Sequence, residues 1–393
     1  MATSLGVEQR YSLITRRLEL QNGWSAQELQ KRLHEGRDIK YHWVTAPTGK
    51  PHIGYFIPLI KFADFIRAGG QVTVEFIDVY AFLVNYKFPW DQVQHRTTYY
   101  RSLITAALTA VGVPLSKVPM AQMSHYQTNP QFNVDFWKMC ALCSQQDCRD
   151  TGAEVSGSSM LSPLLTPILQ ELGEEYLDVD VQVGGLDQRG IFNMGEQFLP
   201  QLGYEKRVHL MNEMLPSLTG GKMSSSHPAH TKIMFLDDPD TVRDKIAGAL
   251  CQAGNIEQNG ILPILKHILF PVSELRSVHL QEVEGKKTDG TNGINGVGHG
   301  SKRPFAAEGA PEGTLFSVAA PTSECNSNAY IHYQTYEALE QDFLQQRMTS
   351  EVLKDAVTAA LNDVLTPIRE VYANHQEWQD SDRLGYPEDW LAV

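Results

Sequence analysis

The sequence predicts an α/β protein, a parallel sheet built from βαβ units, followed by a helical region. Three observations carry this. Tyr41-His42-Trp43-Val44-Thr45 reads as a strand, Ile57, Leu59, Ile60, Phe62, Ala63 and Ile66 form the broad apolar face of a helix, and residues 72–78 read as the next strand. Strand, helix and strand at this spacing make a βαβ unit. Residues 178–185 read as a further strand running into a glycine turn. From residue 238 onward the apolar period becomes helical, over 238–253, 261–269 and 353–372.

Taken in order, residues 1–38 read as helical, with Leu13, Ile14, Leu18, Leu20, Leu29 and Leu33 as apolar positions. The first strand ends in Ala46-Pro47-Thr48-Gly49, and Gly69-Gly70 closes the helix after it. Helices are expected near 99–111 and 132–143. In the last helix, Leu353, Val357, Leu361, Val364, Leu365 and Ile368 repeat at helical spacing. Residues 285–329 are rich in Gly, Ser, Asn, Thr and Pro, with too few apolar residues to fold alone, and are expected to form a mobile insertion. The expected organisation is an N-terminal helical segment (1–38), a catalytic α/β domain (39–228) and a helical domain (229–393).

A chain of 393 residues is long enough for two or three domains. It has 42% hydrophobic and 20% charged residues, ordinary for a globular protein, and no run of 18 apolar residues to span a membrane. The N-terminus lacks the charged and apolar regions of a signal peptide. Five cysteines make no disulfide framework, so a reducing, cytoplasmic location is expected. Cys140-Ala141-Leu142-Cys143 with Cys148 falls in a helical stretch without a second pair or histidines, and reads as buried helical cysteines; no metal site is read from the sequence. The net charge of −13 gives no general attraction for phosphate backbones, though a local basic patch stays possible.

Two short segments carry chemistry. Thr48-Gly49-Lys50-Pro51-His52-Ile53-Gly54 places a histidine on a turn at a helix N-terminus, where it donates to phosphate while the helix dipole adds field. Gly54 leaves room for a flat purine. About 170 residues later, Gly220-Gly221-Lys222-Met223-Ser224-Ser225-Ser226 brings a lysine and hydroxyl donors on a glycine-hinged loop. Donors placed where negative charge develops on a phosphate are what nucleotide activation needs. Alone, His52 reads as structural and the lysine loop as solvated; the pair in this order reads as a site.

Together the two segments resemble the ATP-handling signatures of class I aminoacyl-tRNA synthetases. Gly184-Gly185-Leu186-Asp187-Gln188-Arg189 resembles the Gly-Gly-x-Asp-Gln-Arg segment of tyrosyl-tRNA synthetases of the eukaryotic and archaeal type. Val208-His209-Leu210-Met211-Asn212, residues 254–260, Lys266-His267-Ile268-Leu269-Phe270-Pro271 and Leu365-Thr366-Pro367-Ile368-Arg369-Glu370 are similar to further segments of that family. The resemblance implies a Rossmann-type class I synthetase catalytic domain, an all-helical anticodon-binding-like domain and a homodimer. It implies activation of an amino acid through an aminoacyl-adenylate, with ATP and Mg2+, and tRNA as a partner. It also implies roles. His52, Lys222, Ser224 and Ser225 would act on the phosphates. Gly54, Asp187 and Met211 would hold ATP. His42, Glu75, Tyr80, Tyr126, Thr166, Gln170, Gly173 and Gln188 would form the amino-acid pocket.

The departures from the family fall in that pocket. Where the family reads the tyrosine hydroxyl with a tyrosine and an aspartate, this chain has His42 and Gly173. Thr166 replaces a tyrosine that touches the substrate ammonium, Tyr80 replaces a histidine, and Glu75 replaces an apolar residue. A buried carboxylate at Glu75 is costly unless paired. A cationic substrate side chain would pair it; so would His42, or Glu75 turns outward. The tRNA-facing stretches 149–157 and 243–249 have lost basic residues, which predicts weakened tRNA binding unless Lys31, Arg32, Lys206 and Arg207 compensate. Three functions stay open: a tyrosine–tRNA ligase-like enzyme, a diverged paralogue that activates another amino acid for a non-tRNA acceptor, and a non-catalytic regulatory protein. His52, Gly54 and Lys222 speak against the last.

Overall fold

Six strands make one sheet: β1 (Leu18–Leu20), β2 (Lys40–Thr45), β3 (Gln71–Phe76), β4 (Met120–Gln122), β5 (Val181–Gly185) and β6 (Val208–Asn212). Their order is β1-β6-β5-β2-β3-β4; β1 runs antiparallel and all other neighbours are parallel. The computed structural model describes residues 5–85, 87–152, 157–221, 223, 228–288, 302–320 and 329–390.

Side chains alternate across each strand. Tyr41 and Trp43, Val72, Val74 and Phe76, Val181 and Val183, and Val208 and Leu210 belong to one buried cluster with Phe62 and Phe65 of the helix Phe56–Arg67. This is the expected βαβ core. The alternate positions face the other way, and there the sheet is polar: His209, Gln182 and His42 stand side by side on β6, β5 and β2, with Glu75 on β3 next to them. All four are fully buried. The helices Leu161–Tyr176 and Arg189–Phe198 meet at this face through a second apolar cluster that includes Ile168, Leu169, Leu172, Met194 and Phe198.

Three expectations need correction. The N-terminal segment is not uniformly helical. Helices Val7–Thr15 and Gly23–His34 flank β1, because Arg17 takes φ 63, which ends the first helix, and Leu18–Leu20 then pair with β6. The helix read over 261–269 contains a π-helical turn, Leu265–Leu269, and continues as Phe270–Thr288. The C-terminal region is helical apart from a two-stranded antiparallel sheet, β7 (Phe316–Ala319) with β8 (Tyr330–Tyr333).

That small sheet also corrects the reading of 285–329. Residues 302–320 are built into the domain: Phe316 and Val318 are buried, and Arg276 lies 4.4 Å over the ring of Phe305. Arg276 and Lys302 both reach Asp363 of the helix Ser350–Ala373, at 2.6 and 2.9 Å. A few apolar residues suffice here because a helical surface already exists for them to cover. Residues 289–301 and 321–328 of that stretch lie outside the described residues.

Among the described residues, no helix is long and apolar enough to cross a membrane. Cys140 is exposed and Cys143 half-buried, so of that group only Cys148 sits as a buried cysteine.

Candidate active site

The carboxyl ends of β2, β5 and β6 open into a cavity of about 720 Å³. Parallel sheets present their loops to ligands at this edge. The wall includes Thr48, His52 and Gly54 from the turn after β2, Asp187 and Gln188 after β5, and Asn212, Glu213 and Met214 after β6. Tyr80 and Gln170 close it from the helices.

The turn after β2 fixes the state of His52. Its Nδ1 accepts the Gly54 N–H at 3.2 Å, so Nε2 carries the proton and can donate. A Cβ on Gly54 would lie 2.7 Å from His52 Cε1, so the space at Gly54 is taken by the histidine ring itself. Burial, and then the positive charge of Lys232, lower the His52 pKa from 6.5 to about 4. The ring is therefore a neutral donor across the physiological range. The sign follows: a depressed histidine pKa contributes stability that is present above pH 6.5 and is lost as pH falls toward 4. The expected result is an activation rate with no His52 limb between pH 5.5 and 8. A limb near 6.5 that disappears in His52→Asn would contradict this.

The second motif is tied to the first through the backbone. Ile53 N donates to Ile233 O at 2.9 Å, and His52 pairs with Met234 in an isolated antiparallel bridge. Gly220 and Gly221 turn the chain at φ 90 and 77, which favours glycine. Ser217 N then meets Gly221 O at 2.8 Å, and Met223 reaches the cavity wall. Lys222, Ser224 and Ser225 lie outside the described residues.

Of the expected ATP residues, Gly54 and Asp187 line the cavity, but Met211 is fully buried in β6 and Met214 lines the cavity instead. A Cβ on Gly185 would lie 2.5 Å from Asp187 Oδ1 and 2.6 Å from Met214 Sδ, so glycine lets both side chains approach.

The expected amino-acid pocket divides in two. Tyr80, Gln170 and Gln188 face the cavity, and Gln170 Nε2 donates to Gln188 Oε1 at 3.2 Å. His42, Glu75, Tyr126, Thr166 and Gly173 lie outside its wall. The Thr166 hydroxyl is buried and bonded to Pro163 O at 2.8 Å. The other four form one cluster. Glu75 accepts from Tyr126 Oη at 2.6 Å and from His42 Nε2 at 2.7 Å, and Gln182 Nε2 lies 3.3 Å from His42 Nδ1. Burial, and then Glu75, push the Tyr126 hydroxyl well above its usual pKa. Of the readings open for Glu75, the pairing with His42 is the one observed. Gly173 packs directly on this cluster: a Cβ there would stand 3.1 Å from Tyr126 Oη and 3.2 Å from Glu75 Oε2.

Sequence reading missed Arg96 and Glu388, both in the cavity wall. Arg96 Nη1 donates to Thr48 O at 2.7 Å, its Nε to Gly385 O at 2.7 Å and its Nη2 to Glu388 at 3.2 Å, joining the turn after β2 to the C-terminal segment. Neither carries a sequence signal. Asn212 is the last residue of β6 and Glu213 and Met214 follow it, but no strand is read from the sequence over 208–212.

An open, mostly parallel sheet with a cavity at its carboxyl edge is the arrangement in which α/β proteins bind their ligands. The family model described as "tRNA synthetases class I (W and Y)" matches residues 34–295, and the chain belongs to that family. It is 40% identical over 391 residues to the cytoplasmic tyrosine–tRNA ligase of Gallus gallus, covering 98% of this chain and 65% of that protein. The corresponding enzyme of Saccharomyces cerevisiae is 37% identical, covering 98% of this chain and 90% of that one. The chain thus spans about two thirds of the vertebrate relative's length and most of the yeast one's. Among solved structures, the tyrosyl-tRNA synthetase of Archaeoglobus fulgidus complexed with L-tyrosine superimposes with a TM-score of 0.75 at 26% identity, covering 93% and 99% of the two chains.

Proposed function

We propose that the protein activates an amino acid with ATP, as an aminoacyl-adenylate, and transfers it as a tyrosine–tRNA ligase does. The observation that carries this is the shared cavity: the donor His52 Nε2, Asp187 and the Gln170–Gln188 pair all face one space. In this reading His52 and Lys222 stabilise charge on the phosphates, with Ser224 and Ser225 as further donors. Asp187 holds the ribose, and Gln170 and Gln188 hold the amino and carboxylate ends of the substrate. Mg2+ bound to the triphosphate would offset charge on the phosphates, and Glu213 of the cavity wall offers a carboxylate that would suit it. Pyrophosphate exchange tests the reading. Lys222→Ala is expected to lower the exchange rate by about 10²–10³, the scale for one lost stabiliser of transition-state charge. An unchanged rate would remove Lys222 from the chemistry.

A second reading concerns the substrate. The cluster of His42, Glu75 and Tyr126 packed on Gly173 favours a pocket that does not read a phenol hydroxyl. The groups that would bond it are absent or already paired with one another.

We further propose that tRNA is held weakly, that the protein is cytoplasmic as the named relatives are, and that it forms a homodimer. Arg243 and Lys245 are paired with Asp240 and Asp237, each at 2.6 Å. Of the residues expected to compensate, Arg32 pairs with Asp180, Lys206 with Glu196 and Arg207 with Glu175, while Lys31 is exposed beside Glu28. A titration of tRNA at several salt concentrations is expected to give a shallow dependence, since each phosphate contact adds about 0.7–0.9 to the slope. Tight binding with a steep slope would show that other basic residues serve. For the dimer, Trp137 and Leu161, at 65% and 68% exposure, give an apolar surface to cover on two helices that pack together.

A further inference from the structure

Behind the cavity, three acidic residues and a histidine converge that the proposed reaction does not use. Glu171 and Glu174 come from the helix Leu161–Tyr176, Glu196 from the helix Arg189–Phe198 and His209 from β6. Ligand atoms of Glu171, Glu174 and His209 lie within 4.8 Å of one another, and all three residues are buried. Acceptors outnumber donors here. His209 Nε2 lies 2.9 Å from Glu174 Oε1, and its Nδ1 lies 3.2 Å from Glu196 Oε1. Both oxygens of Glu171 and Oε2 of Glu174 are buried without any hydrogen-bond partner. Glu171 has no exposed surface at all, and a charge so placed needs a counter-charge. The chain also makes room for it: a Cβ on Gly195 would stand 1.7 Å from Glu171 Oε2.

We propose that Glu171, Glu174 and His209 bind a divalent metal ion of the Zn2+ type. One imidazole with two carboxylates is a donor set that Zn2+ accepts, and two carboxylates neutralise its charge in an apolar surrounding. The 2.9 Å between Glu174 Oε1 and His209 Nε2 is a hydrogen-bond distance; an ion held tetrahedrally at about 2.1 Å would spread the two donors to roughly 3.4 Å, a shift of about half an ångström. A metal-bound imidazole characteristically donates its other N–H to a carboxylate. Glu196 is placed for that, and is itself held by Lys206 at 2.7 Å and Asn22 at 2.9 Å. The ion joins two helices to the sheet directly behind Phe192, which stacks on His209 at 4.5 Å and lines the cavity. Its role is to fix that wall. Its ligands come from separated segments, which explains why no metal motif is legible in the sequence.

Metal analysis of the full chain, purified without a chelator or a metal-affinity step, tests the site. About one equivalent of Zn2+ per chain is expected. Removing it should lower Tm, and Zn2+ alone should restore it. Glu171→Ala and His209→Ala should lose the metal and the Tm response. Because His209→Ala removes a buried partner of two glutamates and could fail to fold, Glu171→Gln is the decisive variant. Glutamine keeps the volume of Glu171 without its negative charge, so at a site that holds no cation it should replace the glutamate without loss. A metal-free wild type whose Tm ignores both Zn2+ and Mn2+ would overturn the proposal. So would bound metal that survives in Glu171→Ala, or a Glu171→Gln protein with the wild-type Tm and no metal in either.

Discussion

Gly173→Asp is expected to destabilise the protein by about 3–5 kcal/mol, the cost of leaving a buried charge unpaired. The added Cβ would stand 3.1 Å from Tyr126 Oη, 3.2 Å from Glu75 Oε2 and 3.6 Å from His42 Cε1. The new carboxylate would then sit beside Glu75, whose two partners are already engaged. Chemical denaturation measures the loss. Gly173→Ala isolates the steric part, for which about 1–3 kcal/mol is the scale of overpacking. The family resemblance alone suggests the opposite, that an aspartate at 173 restores recognition of a phenol. A Gly173→Asp protein as stable as wild type would show that the cluster relaxes easily and does not define the pocket end.

Tyrosine is expected to be preferred over phenylalanine by far less than the roughly 10⁴–10⁵ of a site built to bond the hydroxyl. That discrimination comes from buried polar groups that are left unpaired when the hydroxyl is missing. Here the two positions that would bond it offer no such group; the unpaired atom of this cluster is Gln182 Oε1. His42 and Tyr126 are both bonded to Glu75, and Gly173 has no side chain. Competition between the two amino acids in pyrophosphate exchange measures the ratio directly. A value near 10⁵ would mean that tyrosine reaches groups on the cavity wall, such as Tyr80, and that selectivity has been rebuilt there.

The parts of this fold that repeat were legible in the sequence, and the parts that depend on long-range packing were not. The βαβ unit shows because Tyr41, Trp43, Val72 and Val74 alternate while Phe62 and Phe65 follow a helical period. β1 does not show, since three residues carry no period and pair with a strand about 190 residues away. The structure of residues 302–320 is hidden for a related reason: Phe305, Phe316 and Val318 gain their burial from helices elsewhere in the chain. At the site, the His52 turn is encoded locally, down to the glycine that its ring requires. The buried polar row of His209, Gln182, His42 and Glu75 is not, because its members are far apart in sequence and meet only through sheet register. Glu75 has several candidate partners in the sequence; the adjacent strands β2 and β3 bring His42 to it, and the short helix Met123–Tyr126 brings Tyr126.

The most direct test of the central claim is ATP–pyrophosphate exchange with each of the twenty amino acids, with and without tRNA. The cavity that joins His52, Asp187, Gln170 and Gln188 predicts exchange with at least one of them, abolished or strongly reduced in His52→Ala. Exchange with none, in the presence or absence of tRNA, would contradict it.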